Sequence, residues 1–324
     1  MGVEKPRVFV ASKFLSEVQS EFAAVFELTF AGEASEPMAE LVALGERGTC
    51  FDGVLFSLDV AMRAEQIAVL PRSVTFLATY SVGTDHIDLE AARSRGLAVF
   101  NTPGVLADSV AENAIFLMLG AARRATESIE LIRGRAWPGW NPTQLVGVQL
   151  SGRTLGIVGM GDIGKRIAAR AEALGMDILY HNRRALPESH PHAAGYRETA
   201  EELVADSDVL MLACPSTAET RGLVNVTLLS AARPDLLVVN IARGDVVEDD
   251  ALIAALASNR IRGAGLDVFA GEPAVDPRYF DLPNVFMMPH IGSSTIEARL
   301  GMGRILIDGV TRFRAGEAAP NQVV

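Results

Sequence analysis

Short runs of apolar and β-branched residues alternate with longer stretches of helical period from one end of the chain to the other. In the first hundred residues the runs fall at 7–11, 54–58, 75–80 and 98–101, with amphipathic stretches such as 14–26 and 89–95 between them. Later runs fall at 155–158, 177–180, 209–213, 236–241, 263–268 and 285–289. Continuous apolar runs of this length, separated by helices, are the signature of parallel strands covered on both faces. The expected fold class is α/β, with two doubly wound, Rossmann-like domains. A length of 324 residues agrees with two domains. The Asn101-Thr102-Pro103-Gly104 turn, ahead of a long helix at 109–124, marks the expected boundary. After the second series of runs only one helix remains, at 295–315, too little for a domain. That helix is expected to return to the first sheet, so the N-terminal domain is discontinuous: 1–101 plus 292–324, around a second domain at 102–291. Residues 133–148, with Trp137, Trp140 and Pro142, read as a loop or arm.

Composition narrows the function. Apolar residues make up 49 % of the chain, enough for a large core, which excludes global disorder. With 29 basic against 40 acidic residues the net charge is −11, and no long basic stretch offsets it; neither nucleic acid nor an anionic membrane surface is an expected partner. No apolar run approaches the ~20 residues of a membrane span. Gly2 is not expected to be myristoylated, since Pro6 stands where that motif wants Ser or Thr, and no secretory signal is read. Two cysteines, Cys50 and Cys214, make neither a disulfide framework nor a metal-type spacing, so no metal is expected and the expected location is cytoplasmic.

The stretch that says most about chemistry is Gly159-x-Gly161-x-x-Gly164, between the strand at 155–158 and a helix at 165–174. Gly159 permits a tight turn, Gly161 lets a diphosphate approach the backbone, and Gly164 lets helix and strand pack closely. The helix N-terminus then holds the anion. In this context the turn reads as a dinucleotide site, the residues Asp162 and Ile163 included. NAD sites place a carboxylate at the end of the next strand, to bond the ribose 2′-hydroxyl. Here that segment is Tyr180-His181-Asn182-Arg183-Arg184, with no acid and two arginines suited to a 2′-phosphate, so NADPH/NADP is expected to be preferred over NADH/NAD.

Three further strand ends carry reactive side chains: Arg243 in Asn240-Ile241-Ala242-Arg243-Gly244, Glu272 in the segment 265–273, and His290 in Pro289-His290-Ile291-Gly292. Reduction of a 2-keto acid needs a group that fixes the carboxylate or carbonyl, a hydride donor and a proton donor. Arg243 suits the first task and His290 the last, with Glu272 orienting the imidazole. Each alone also has a structural reading. His86, His190 and His192 are given no catalytic part.

Taken with Ser81-Val82-Gly83-Thr84-Asp85-His86-Ile87-Asp88 and the Asn101–Gly104 turn, these segments make the chain resemble the D-isomer-specific 2-hydroxyacid dehydrogenases over essentially its whole length. The resemblance implies that Arg243, Glu272 and His290 are the catalytic residues, and that backbone N–H groups at Val82 and Gly83 take the substrate carboxylate. It implies cofactor contacts at Asp267, which would meet the nicotinamide carboxamide, at Cys214 and Pro215 on the adenosine side, and at His181, Asn182, Thr220, Ile241, Ala242, His290 and Gly292. It also implies a homodimer, formed through an arm near 120–148, from which Trp140 could reach a neighbouring subunit's pocket. Trp137 and Trp140 are otherwise read as packing residues.

Within that family the chain is most similar to NADPH-dependent glyoxylate/hydroxypyruvate reductases, including those that reduce 2-ketogluconate. A small 2-keto acid is the implied partner, held between the two domains with hinges near Asn101 and Gly292. Asp162 departs from many relatives, which carry Arg there. The rival readings are an NAD-linked dehydrogenase of phosphoglycerate, lactate or phosphite, a dinucleotide-sensing corepressor-like protein and a methyltransferase, for which the Arg, Glu and His set has no role.

Overall fold

A computed structural model of the chain describes residues 4–32 and 36–324; Gly2, weighed above as a lipidation site, lies outside them. The chain divides into two compact units, Met1–Leu106 with Ser294–Val324, and Ala107–Ser293.

In the first unit β1 (Arg7–Val10), α1 (Ser16–Val25), β2 (Glu27–Phe30), α2 (Pro37–Glu46), β3 (Gly53–Phe56), α3 (Ala64–Val69), β4 (Phe76–Thr79), α4 (Leu89–Ser94) and β5 (Ala98–Phe100) follow one another. The five strands form one sheet in the order β2-β1-β3-β4-β5, and every neighbouring pair is parallel. β3 and β4 are buried along their whole length, which is why they appear in the sequence as unbroken apolar runs. β2 has no counterpart among the expected runs. It is one of the two edge strands, with both end residues exposed, and its Glu-Leu-Thr-Phe sequence carries no apolar run. Phe9, Phe51, Val54, Phe56, Leu77 and Val99 fill the core on one face.

The second unit opens with α5 (Ala107–Ala122) and α6 (Ala125–Arg133). The expected helix at 109–124 is α5; α6 was not expected, and Arg124, between the two, takes a left-handed conformation, φ 55°, and binds Glu127 through two guanidinium nitrogens. α6 has no buried residue, and the segment after it, to the next strand, has no regular structure. There follow β6 (Thr154–Val158), α7 (Asp162–Ala173), β7 (Asp177–His181), α8 (Ala200–Asp206), β8 (Val209–Leu212), α9 (Val226–Ala231), β9 (Leu237–Asn240), α10 (Asp249–Ala257), β10 (Gly263–Leu266) and β11 (Val285–Met287). Their sheet runs β11-β10-β9-β8-β6-β7, again parallel throughout. The last helix, α11 (Ile296–Arg314), packs on α1, β4 and β5 of the first unit. Among the described residues no helix is long and apolar enough to cross a membrane. Both units are thus doubly wound parallel sheets, and each sheet reverses its winding at its first strand, between β1 and β3 and between β6 and β8. Crevices at such reversals are where open α/β sheets bind ligands.

Candidate active site

In the second unit the reversal holds the glycine turn. Gly159 leaves β6 with φ 100°, and a Cβ there would lie 2.6 Å from the Ala213 carbonyl oxygen and 2.7 Å from the Cys214 nitrogen, on the loop after β8. A Cβ on Gly164 would lie 2.2 Å from the Gly159 carbonyl oxygen, so helix α7 can start this close to β6 only because the residue is glycine. At Gly161 the space is open: a Cβ would meet nothing within 4 Å. Two glycines therefore close the turn and the third keeps its outer side clear. The N–H groups of the first turn of α7 have no partner within the helix, and with the helix dipole they suit a diphosphate. This cradle fits a dinucleotide.

Asp162 stands on that first turn but is held along the helix by Arg166 at 3.2 Å, and Arg166 in turn reaches Asp108 at 2.6 Å. The carboxylate is answered by a cation of its own helix. Asn182 is not turned outward: its Oδ1 accepts the Met160 N–H at 2.8 Å and so braces the glycine turn. His181 uses Nδ1 on the Arg197 carbonyl at 3.0 Å. Arg183 and Arg184 are exposed, and neither makes an ion pair or hydrogen bond with the described residues. Thr220 donates to the Pro215 carbonyl at 2.6 Å and accepts from the Thr217 N–H, which tightens the loop after β8. The Cys214 thiol is buried, and burial pushes its pKa up to about 11. It is a wall, not a nucleophile.

The loops after β9, β10 and β11 bring the reactive groups together within this unit. Ile241 and Ala242 are buried, the Ala242 N–H donates to Asn240 Oδ1 at 3.0 Å, and Asn240 Nδ2 donates to the Arg243 carbonyl at 2.9 Å. Gly244, next in line, passes so near the Phe269–Ala270 backbone that a Cβ would sit 1.9 Å from the Phe269 carbonyl carbon. Glu272 accepts the Phe269 N–H on Oε1 at 2.7 Å and faces His290 Nδ1 with Oε2 at 2.7 Å. Partial burial alone would raise the Glu272 carboxyl. The His290 hydrogen bond, the Phe269 N–H and the charges of His290 and Arg243 together outweigh burial and hold it below the ordinary carboxylate range.

His290 takes a left-handed backbone, φ 53°, and its N–H donates to the Asp267 carbonyl at 2.8 Å. The buried Asp267 side chain accepts the Ile291 N–H at 3.0 Å and the Gly292 N–H at 2.9 Å. Its position is thus spent on anchoring the His290 turn, with lone pairs left over. Ser109 Oγ ties the Gly292 carbonyl to α5 at 2.7 Å, and nearby Asn113 carries a buried Nδ2 with no acceptor among the described residues. A buried donor left unanswered beside a carboxylate is the arrangement that a carboxamide could complete. With Nδ1 engaged by Glu272, the other imidazole nitrogen, Nε2, has no partner among the described residues.

In the first unit the Val82–Gly83 turn has its carbonyls tied back. The Ser81 carbonyl takes the Thr102 N–H at 2.9 Å, that of Val82 takes Asn101 Nδ2 at 2.9 Å, and that of Gly83 takes Ser81 Oγ at 2.7 Å. Because trans peptides point N–H and C=O oppositely, the N–H groups of Val82 and Gly83 are turned away, and they donate to nothing among the described residues. Two neighbouring N–H groups of one turn are thus left open to an acceptor. Sequence reading missed the bracing residues: Asn101 stood only for a turn, while Thr79 and the buried His86, 2.9 Å apart behind Ser81, showed no signal beyond a strand end. Trp140 is 82 % exposed and Trp137 53 %, and the Trp137 indole N–H donates to Gln144 Oε1 at 3.1 Å.

Comparison with known proteins gives the family. Residues 115–292 match the family described as D-isomer specific 2-hydroxyacid dehydrogenase, NAD binding domain. The chain is 40 % identical to the glycerate dehydrogenase of Hyphomicrobium methylovorum over 269 residues, 82 % of this chain and 84 % of that one. It is 42 % identical to the glyoxylate reductase of Thermococcus litoralis over 251 residues, 76 % of each. The solved NADPH-dependent glyoxylate/hydroxypyruvate reductase of Sinorhizobium meliloti, in complex with NADP and malonate, superposes with a TM-score of 0.87 at 32 % identity, covering 99 % of this chain and 97 % of that one. Two parallel α/β sheets, a glycine cradle for a dinucleotide and these relatives lead to one conclusion: the chain belongs to the D-isomer-specific 2-hydroxyacid dehydrogenases, enzymes that depend on NAD(P).

Proposed function

We propose that the enzyme reduces a small 2-keto acid to the D-2-hydroxy acid with NADPH, glyoxylate and hydroxypyruvate being the first substrates and 2-ketogluconate a larger one. The observation that carries this reading is the 2.7 Å contact of Glu272 with His290 Nδ1, beside the strand end that holds Arg243. When bound, the nicotinamide supplies a hydride to C2. The remaining work belongs to the chain. The Val82 and Gly83 N–H groups hold the substrate carboxylate. Arg243, with its planar fork of donors, steadies the carboxylate and draws electron density toward the carbonyl oxygen. His290 delivers a proton from Nε2 to that oxygen, while Glu272 keeps the ring in orientation and offsets its charge. Asp267 holds the turn that carries His290, and Asn113 and Asp267 together offer the carboxamide a donor and an acceptor.

The NADPH preference rests on Arg183 and Arg184, exposed at the end of β7 in a segment without a carboxylate. A homodimer is proposed through the arm of residues 120–148, where Ile129, Ile132, Trp137 and Trp140 are exposed, with Trp140 as the residue that would enter a neighbour's pocket. Two free cysteines suit the reducing conditions of a cytoplasm.

The test is His290→Asn, assayed with glyoxylate and with hydroxypyruvate under NADPH. Turnover should fall about 10²- to 10⁴-fold while the dinucleotide still binds, as fluorescence titration would show. Turnover within a few-fold of the unsubstituted enzyme would mean that the proton comes from another group.

A further inference from the structure

Behind the Val82–Gly83 turn lies a line of three polar side chains, all buried: Thr79 at the end of β4, Ser81 before the turn and His86 after it. His86 Nε2 is 2.9 Å from Thr79 Oγ1, Thr79 Oγ1 is 2.8 Å from Ser81 Oγ, and Ser81 Oγ is 2.7 Å from the Gly83 carbonyl oxygen. The Phe56 ring stands edge-on to the imidazole, with ring centres 5.6 Å apart.

The protons in this line have one possible order. A carbonyl oxygen only accepts, and a hydroxyl has a single proton to give. The Gly83 carbonyl takes the Ser81 proton, so Ser81 Oγ must accept from Thr79. Thr79 has then spent its own proton and must accept from His86. The relay runs from His86 Nε2–H through Thr79 and Ser81 to the Gly83 carbonyl, and it fixes a proton on Nε2 of the imidazole. With Thr79 donating to it, Ser81 cannot turn its proton back along the line. Buried bonds of this kind polarise one another, and bulk water does not replace a missing member.

The line ends where the turn is least restrained by its own chain. Val82 and Thr84 are β-branched and stiff, whereas Gly83 between them has no Cβ and leaves the Gly83–Thr84 peptide free to rotate. A flip of that peptide exchanges its carbonyl oxygen for its N–H. The oxygen would then come to the outer side of the turn, beside the open N–H groups of Val82 and Gly83, and repel an anion there.

We propose that His86 is a positioning residue of the substrate site, acting through Thr79 and Ser81 to hold the Gly83 carbonyl inward and so keep the carboxylate-facing side of the turn clear of oxygen. The proposal rests on the reading that the Val82–Gly83 turn holds the substrate carboxylate.

The experiment measures KM and kcat for glyoxylate at saturating NADPH, together with the dinucleotide Kd, in Thr79→Val, Thr79→Ser, His86→Leu and Asn101→Ala. Thr79→Val keeps the shape and removes the hydroxyl, and His86→Leu removes the first donor; each should raise KM about tenfold. Their kcat and dinucleotide Kd should stay within about threefold, the pattern of lost substrate binding without lost chemistry. Thr79→Ser restores the hydroxyl and should bring KM back to within about twofold. Equal rises in Thr79→Val and Thr79→Ser would overturn the relay, since packing and not the hydroxyl would then matter. Asn101→Ala frees the Val82 carbonyl by a bond outside the relay. A KM that rises in Asn101→Ala and not in Thr79→Val or His86→Leu would overturn the relay alone. A KM that moves in none of these three would overturn the carboxylate reading as well, which separates the two failures. Nitrogen-15 spectra of the unsubstituted enzyme, with His86 assigned by the signals lost in His86→Leu, should show a proton on Nε2; a proton on Nδ1 alone would also overturn the relay.

Discussion

The two sheets reverse their winding in the same way, yet the turns at the two reversals are built from opposite materials. After β6 the chain runs Gly159-Met160-Gly161, and side chains are missing where the backbone must be approached. After β1 it runs Ala11-Ser12-Lys13-Phe14, and Ser12 fills the corresponding place with a hydroxyl bound to Asp59. Topology supplies a crevice in each case. What enters it depends on whether the first turn presents bare N–H groups, which suit a diphosphate, or side-chain hydroxyls and charges, which suit a smaller polar ligand.

The comparison breaks most visibly at Gly164. A Cβ placed there would collide with the Gly159 carbonyl oxygen, a backbone atom that cannot swing aside. Gly164→Ala should cost about 2–3 kcal/mol, lowering Tm by on the order of 5–10 °C, and should abolish dinucleotide binding. Gly161→Ala meets no atom of the protein, so its Tm should fall by no more than about 3 °C. Its dinucleotide Kd should nevertheless rise about tenfold. Thermal melts with fluorescence titration check both. Equal losses of Tm would remove the distinction between a packing glycine and a phosphate-facing one.

How much of this could be read in the sequence follows from the same difference. The cradle glycines act through absent atoms within one strand-turn-helix unit, so their spacing alone carries the geometry. The buried central strands were legible too, because burial on both faces leaves an unbroken apolar run. Edge strand β2 was not, since half its surface faces water, and neither was α6, a helix with no buried residue. Arg243, Glu272 and His290 could be picked out singly at strand ends. The pairing of Glu272 with His290 could be expected with them, but not the turn that carries His290, which is set by Asp267 catching the N–H groups of residues 291 and 292 from a different strand. The Asn101 to Val82 bond and the turning-in of Asn182 onto Met160 are side-chain contacts between segments about twenty residues apart, with no local pattern to announce them.

The second strand of each sheet sharpens the contrast. β7 ends in Asn182-Arg183-Arg184, while β2 ends in Phe30-Ala31-Gly32, without a cation. Arg183 lies close enough to the loop after β8 to act on Glu219, whose carboxyl is lowered first by the Thr217 hydroxyl, then by a backbone N–H, with Arg183 adding to both. Replacing Arg183 and Arg184 together by Ala should raise KM for NADPH about ten- to hundredfold and leave KM for NADH within about twofold, since only the former carries a 2′-phosphate. Steady-state kinetics with both cofactors decide it. Equal increases would detach the arginines from the phosphate.

The smallest effect is expected at the carboxylates. Asp59, at the reversal of the first sheet, accepts from one hydroxyl; Glu272 is held by a backbone N–H and by an imidazole. Glu272 has its folded-state pKa lowered, so the unfolded chain binds its proton more readily than the folded one. Its stabilising contribution is therefore complete above the ordinary carboxylate range and is lost as pH falls through the lowered folded value. Glu272→Gln should melt about 1–3 °C below the unsubstituted enzyme near neutral pH, a modest gap because the pair is about one-third exposed and screened by water. On acidification the two melting curves should converge, because the proton that neutralises Glu272 does to the carboxylate what the substitution has already done. A gap that instead widened toward low pH would mean that the carboxyl is favoured in its protonated form, and that it reaches His290 as a neutral acid and not as the counter-charge of a proton donor.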